Sequence, residues 1–129
     1  MPRITAATQA AFEAALSSAL KAEPASRVFV LFTGSSDASG HSWCPDCNDC
    51  KPLLKSVFEE AGAGTTLVEV PLERSEYSGN AKHWARVHPS SKLQRIPTLM
   101  KWGKVNKVAE LVEGECADAS RVRELVLDE

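Results

Sequence analysis

The run "RVFVLFT", Arg27 to Thr33, limits the folds open to this chain more than any other segment. It contains five consecutive apolar residues, Val28 to Phe32. A strand reads as continuously apolar when both of its faces are covered, so the sheet that holds this one needs a layer on each side. "TTLVEVPL", Thr65 to Leu72, reads in the same way. Between them Cys50, Leu53, Leu54, Val57, Phe58 and Ala61 follow a helical period, and Gly62 to Gly64 ends that helix. A strand, a helix and a second buried strand in succession imply parallel pairing with a crossover.

The rest of the chain completes a central mixed β-sheet flanked by helices on both faces, an α/β architecture. Phe12, Ala15, Leu16 and Ala19 predict a first helix over about residues 6 to 22, stopped by Pro24. A polar connection from Glu73 to Gln94 carries a short helix around Ala81 to Val87. "PTLMKW", Pro97 to Trp102, and "KVAELVE", Lys107 to Glu113, read as a hairpin turned at Gly103 and Lys104. Val122, Leu125 and Val126 mark a closing helix. The expected order is αβαβαβ-β-α in one domain spanning 1–129. A chain of 129 residues buries roughly two-thirds of its unfolded surface and needs no staple to fold.

Charge and hydropathy exclude several classes of function. The net charge of −2 and the absence of a basic block argue against nucleic-acid binding. No apolar run approaches the roughly 18 residues of a membrane span. The amino end is a poor secretory signal, although its Ala/Ser-rich, acid-poor composition leaves an organellar transit segment open. Cysteines clustered in a chain without an export signal point to redox or metal chemistry in a reducing compartment.

Three of the four cysteines lie in "HSWCPDCNDCKP", His41 to Pro52. Pro45 suits the first helical position, which makes Cys44 the cap residue facing the positive end of the helix. That setting favours the thiolate, the reactive form. Cys47 lies one turn further in, within disulfide reach of Cys44. The expectation is one exposed, activated thiol and one shielded partner, as dithiol exchange requires. Asp46 acts against the helix end, because a nearby carboxylate disfavours the thiolate. Cys50 falls on the apolar stripe and reads, like Cys116, as a small buried hydrophobe. C-x2-C-x2-C also matches part of an iron–sulfur run, but the third cysteine faces a helical core and no second pair closes a zinc clip, so no metal is expected. His41, His83 and His88 read as surface histidines, and Lys82, Arg86 and Lys92 as a solvated face that can also guide a docking partner.

"VFVLF", then "WCPDC", Pro52 and "RIPTLMKWG", resembles the thioredoxin fold throughout. More closely, "FTGSSDASGHSWCPDC" and "VEGECADA" are similar to the thioredoxin-related protein of 14 kDa family, also called thioredoxin domain-containing protein 17. The resemblance implies a thioredoxin-like fold with Cys44 as nucleophile and Cys47 as resolving thiol. It implies that Trp43 shapes the surface beside them, that Pro52 kinks the active-site helix, and that Pro97 is a cis-proline which leaves the Ile96 backbone for an extended substrate. The family reduces small disulfides such as cystine, and selected protein disulfides, in the cytoplasm. It binds no cofactor of its own and draws electrons from NADPH through thioredoxin reductase. The long loop Gly34 to Ser42 is a candidate fence against bulky partners. One departure is Leu31, which stands about where many thioredoxins carry a buried acid beneath the resolving cysteine. Water or Asp46 is left as the proton acceptor.

The leading expectation is therefore a monomeric thiol–disulfide oxidoreductase serving cell redox homeostasis, with no nucleic-acid or membrane partner. A glutathione-dependent, glutaredoxin-like reductase and a non-enzymatic redox-switch adaptor are the alternatives.

Overall fold

The computed structural model describes residues 3–22, 26–104 and 106–127. The expected stop at Pro24 lies outside them. Ten elements follow in chain order. They are β1 (Arg3–Thr5), α1 (Gln9–Lys21), β2 (Arg27–Gly34), α2 (Pro45–Ala61), β3 (Thr65–Leu72), α3 (Arg74–Tyr77), α4 (Trp84–Val87), β4 (Thr98–Trp102), β5 (Lys107–Val112) and α5 (Ala119–Leu127). Short 3-10 turns at Gly62–Gly64 and Glu113–Ala117 lead into β3 and α5.

The strands form one mixed sheet in the order β1-β3-β2-β4-β5. β2 runs parallel to β3 and antiparallel to β4, and β4 and β5 form the hairpin. β1, only three residues long, adds a parallel edge beside β3 and is absent from the sequence reading. Three residues are too few for a period, so pairing with β3 rather than local pattern creates this strand. The connection after β3 also holds two short helices where one is expected. The expected one is confined to Trp84–Val87.

The alternation along β2 divides the core in two. Val28, Val30 and Phe32 join Phe12, Leu16 and Ala19 of α1 on one face. Phe29 and Leu31 join Leu54, Val57 and Phe58 of α2, with Val122 and Val126 of α5, on the other. This is the double coverage that the unbroken apolar run demands. Thr8 caps α1 by accepting a hydrogen bond from the Ala11 amide at 3.1 Å. Gly62 ends α2 at φ +75°, a conformation that favours glycine.

Phe12 is the hub of the α1 face. Its ring lies 5.7 Å from Phe32, 5.5 Å from Trp84, 5.6 Å from His88 and 6.4 Å from Trp102. One side chain thus ties α1, β2 and β4 to the segment carrying α4, which forms a wall of the site described below.

Two histidines depart from the sequence reading. His83 is buried, and its Nδ1 accepts from the Ala85 amide at 3.1 Å as the cap of α4. Burial lowers its pKa from the ordinary value. His88 is half-buried against Phe12 and Trp84, and its Nδ1 accepts from the Ser90 amide at 3.0 Å. Both capping contacts depend on where the chain folds back, which a polar stretch of sequence does not announce. His41 is exposed, as expected.

Candidate active site

The loop after β2 is a folded knob tied to the helix beyond it. Asp37 Oδ1 accepts from the Ser39 amide (2.9 Å), the Ser39 hydroxyl (2.6 Å) and the His41 amide (3.0 Å). The hydrogen bond from the Ser39 side chain, foremost, holds the Asp37 pKa below its usual value. Lys51 Nζ of α2 donates to Ser36 Oγ at 2.8 Å and Gly40 O at 2.5 Å.

Ser42 and Asn48 then set the entry into α2. The Ser42 amide donates to Asn48 Oδ1 at 2.9 Å, and Asn48 Nδ2 returns a bond to Ser42 O at 2.8 Å. Ser42 Oγ donates to Gly34 O at 2.8 Å and accepts from the Cys44 amide at 3.1 Å. Neither residue was singled out from the sequence. A serine two residues before the N-cap is the available signal, but its pairing with Asn48 is not a standard capping spacing.

Cys44 is the N-cap of α2 and Pro45 opens the helix, as the sequence implies. Pro52 lies inside the helix, where it contributes no amide donor. Cys44 differs from expectation in two respects. It is only 7% exposed. Its thiol makes no cap hydrogen bond with the helix amides, and its polar neighbour is Ile96 O at 4.0 Å. The cis Ile96–Pro97 bond places that carbonyl across from the cysteine. The sulfur therefore sits in the floor of an open groove of about 410 Å³, flanked by Trp43, Tyr77, Arg86, Arg95, Ile96 and Glu113. A cap position fixes the backbone of a residue; the segments folded over it set its exposure.

Cys47 is completely buried one turn along α2 and hydrogen-bonds to the Cys44 side chain. The Gly34 amide donates to its sulfur at 3.4 Å. Burial, then the bond to Cys44, pushes the Cys47 thiol far above its usual pKa, and the Gly34 amide opposes them in part. Of the two sulfurs, Cys47 is the one whose thiolate form burial disfavours. All four cysteines are free thiols.

Cys50 is buried on the α2 stripe, donates to Cys47 O at 3.3 Å, and has its pKa raised by burial to about 11. Cys116 is buried near Pro97 O (3.6 Å) and Leu111 O (3.4 Å), with its pKa pushed by burial to about 12. Both are packing residues here. No group of three or more His, Cys, Asp or Glu among the described residues could hold a metal ion. Asp46 is exposed in the first turn of α2. Leu31 is buried in the α2-face core, so β2 offers no carboxylate beneath the pair.

Trp43 is pinned by its Nε1–H to Leu72 O at 2.8 Å. A Cβ on Gly34 would fall 2.8 Å from Trp43 Cε2 and 2.9 Å from Ser42 Oγ. Gly34→Ala should therefore displace the indole or the serine that holds Cys44, at a cost of about 1–3 kcal/mol. Urea denaturation checks this; an unchanged midpoint would show that the site relaxes around the methyl.

The sequence matches the model of the thioredoxin domain of thioredoxin domain-containing protein 17-like proteins over residues 6–128. The chain belongs to that family. The human thioredoxin domain-containing protein 17 is 34% identical over 98 residues, 76% of each chain. The thioredoxin-like protein Clot of Oryza sativa subsp. japonica is 33% identical over 104 residues, covering 75% of this chain and 73% of its own. Among solved structures, Plasmodium falciparum thioredoxin superposes with a TM-score of 0.63 at 16% identity, covering 96% of both chains, which establishes the thioredoxin fold. In this thioredoxin-like domain the Cys-x-x-Cys pair stands at the start of α2. No helix among the described residues is long and apolar enough to cross a membrane.

Arg86, expected on a solvated face, is drawn into the groove instead. Its guanidinium carbon lies 3.9 Å from the centre of the Tyr77 ring, and its Nη1 donates to Gln94 O at 2.8 Å. Lys82 and Lys92 are exposed, as expected.

Proposed function

We propose that the protein is a dithiol reductase of cystine-like small disulfides and selected protein disulfides. The observation that carries the reading is the inequality of the two sulfurs: Cys44 opens to the groove, while Cys47 is sealed beneath it, where burial disfavours its thiolate. Cys44 Sγ, as thiolate, attacks one sulfur of the substrate disulfide. The S–S bond breaks, a Cys44–substrate disulfide forms, and the other half leaves as a thiolate. Cys47 then gives up its proton and attacks Cys44 Sγ, forming the Cys44–Cys47 disulfide and releasing the second half. Two electrons pass from the dithiol to the substrate. The Ile96 backbone, joined to the cis Pro97 and beside Cys44, aligns an extended substrate, and Trp43 completes the groove.

Thioredoxin reductase, with NADPH, returns the disulfide to the dithiol; the protein itself binds no cofactor. It acts as a monomer in the cytoplasm. The loop tied down by Lys51 stands beside Trp43 and limits the approach of bulky partners. The test is to follow NADPH loss with thioredoxin reductase and cystine. Turnover through that enzyme supports the reading. Turnover only with glutathione and glutathione reductase overturns it in favour of a glutaredoxin-like activity.

The raised pKa of Cys47 has a kinetic consequence. Below that pKa the thiolate fraction grows tenfold with each pH unit. With Leu31 in place of an acid, no carboxylate is buried among the described residues to relay the proton. The Cys44–substrate disulfide should therefore decay about tenfold faster per unit between roughly pH 6 and 8. Acid quenching and intact-mass analysis read this directly; a flat profile would reveal a proton acceptor.

A further inference from the structure

Two buried donors in the groove wall have no partner. Tyr77 is 4% exposed and its Oη makes no hydrogen bond; Arg86 Nε makes none either. Leaving such groups unsatisfied is costly, and native structures contain few of them. These two belong to side chains stacked on each other, and both line the groove that holds Cys44. Arg86 has no carboxylate partner among the described residues, whereas Arg95, the other cation of the groove, is neutralised by Glu113 at 2.9 Å. The stacked pair is thus the unspent positive site next to the nucleophile. A hydroxyl and a guanidinium N–H suit an acceptor with two oxygens. Burial, foremost, raises the Tyr77 pKa; Arg86 opposes it, and charge on Cys44 and, more weakly, Cys47 adds to it, which places the hydroxyl within electrostatic reach of both sulfurs.

We propose that Tyr77 Oη and Arg86 form a carboxylate-binding subsite that selects disulfides carrying an anionic group close to the sulfur attacked by Cys44. The selection rests on the reductase reading above; the binding does not. The carboxylate accepts from the Tyr77 hydroxyl and the Arg86 guanidinium and so holds the neighbouring S–S bond over Cys44. Tyr77 and Arg86 are specificity residues and transfer no electrons or protons.

The test compares two disulfides of similar length, dianionic 3,3′-dithiodipropionate and neutral bis(2-hydroxyethyl) disulfide, with the native protein and its Arg86→Gln and Tyr77→Phe variants. Arg86→Gln should lower the ratio of dianion to neutral-disulfide reduction rates about tenfold or more. Tyr77→Phe should slow the dianion by about threefold to tenfold. Equal losses on both substrates, or no loss in either variant, would overturn the subsite and leave the pair a packing element. A second readout needs no turnover: an NMR titration of the Cys44→Ser, Cys47→Ser double variant with 3,3′-dithiodipropionate. Saturating shifts at Tyr77 and Arg86, abolished by Arg86→Gln, support the subsite; their absence overturns it. If shifts occur but the native protein reduces neither disulfide, the reductase reading fails and the subsite stands.

Discussion

Cys44→Ser should abolish disulfide reduction, whereas Cys47→Ser should still react once and then stop as a stable mixed disulfide. A serine hydroxyl is a far weaker nucleophile than a thiolate, so the loss at Cys44 should be about 10³-fold or more. At Cys47 the first bond exchange survives, because the groove and the attacking sulfur remain. The substrate then stays attached to Cys44 with nothing beneath it to complete the reaction. Intact-mass measurement after mixing with cystine separates the two. The Cys47→Ser protein should gain one half-cystine, and the Cys44→Ser protein none. Adduct formation on both variants at equal rates would mean that the sulfurs are interchangeable, and the asymmetry drawn from their burial would fail.

The second large effect lies away from the cysteines. Phe12→Ala should cost about 3–5 kcal/mol, the usual range for truncating a fully buried phenylalanine. A domain of this size has a total stability of about 5–15 kcal/mol, so the variant keeps only part of its margin. The midpoint should fall by about 10–20 °C. Phe12 fills the space between α1, β2, β4 and Trp84, and each neighbour loses a ring contact at once. Because Trp84 opens α4, the element that carries Arg86, loosening should reach the groove wall as well. Calorimetry reads the midpoint; a fall of less than about 3 °C would mean that the cluster closes over the gap.

The cysteines and Phe12 differ in how readily the sequence points to them. Cys44 and Cys47 stand out because a proline beside a strand-to-helix boundary marks the first helical turn, and spacing then orders the two sulfurs along it. Phe12 is recognisable as an apolar helical position, but not as the hub of an aromatic cluster. Its partners lie 20, 72 and 90 residues away, at Phe32, Trp84 and Trp102. The groove wall is harder still. Tyr77 and Arg86 sit in a polar stretch with no sustained period, and Arg86 reads there as a solvated cation. Its stacking on Tyr77 exists only because the fold brings α3 and α4 side by side.

What the chain alone determined is local. The unbroken apolar runs of β2 and β3 demanded a sheet covered on both faces, and "SWCPDC" demanded a helix capped by Cys44 with Cys47 one turn inside. Tertiary structure decided whatever depends on distant segments meeting. It added β1 to the edge, buried His83, lowered Cys44 into a groove instead of leaving it exposed, and brought Ile96 and Arg86 to its side. The physical reason is that backbone propensity and side-chain period act over a few residues, whereas burial and electrostatic environment depend on neighbours that only the folded chain brings together.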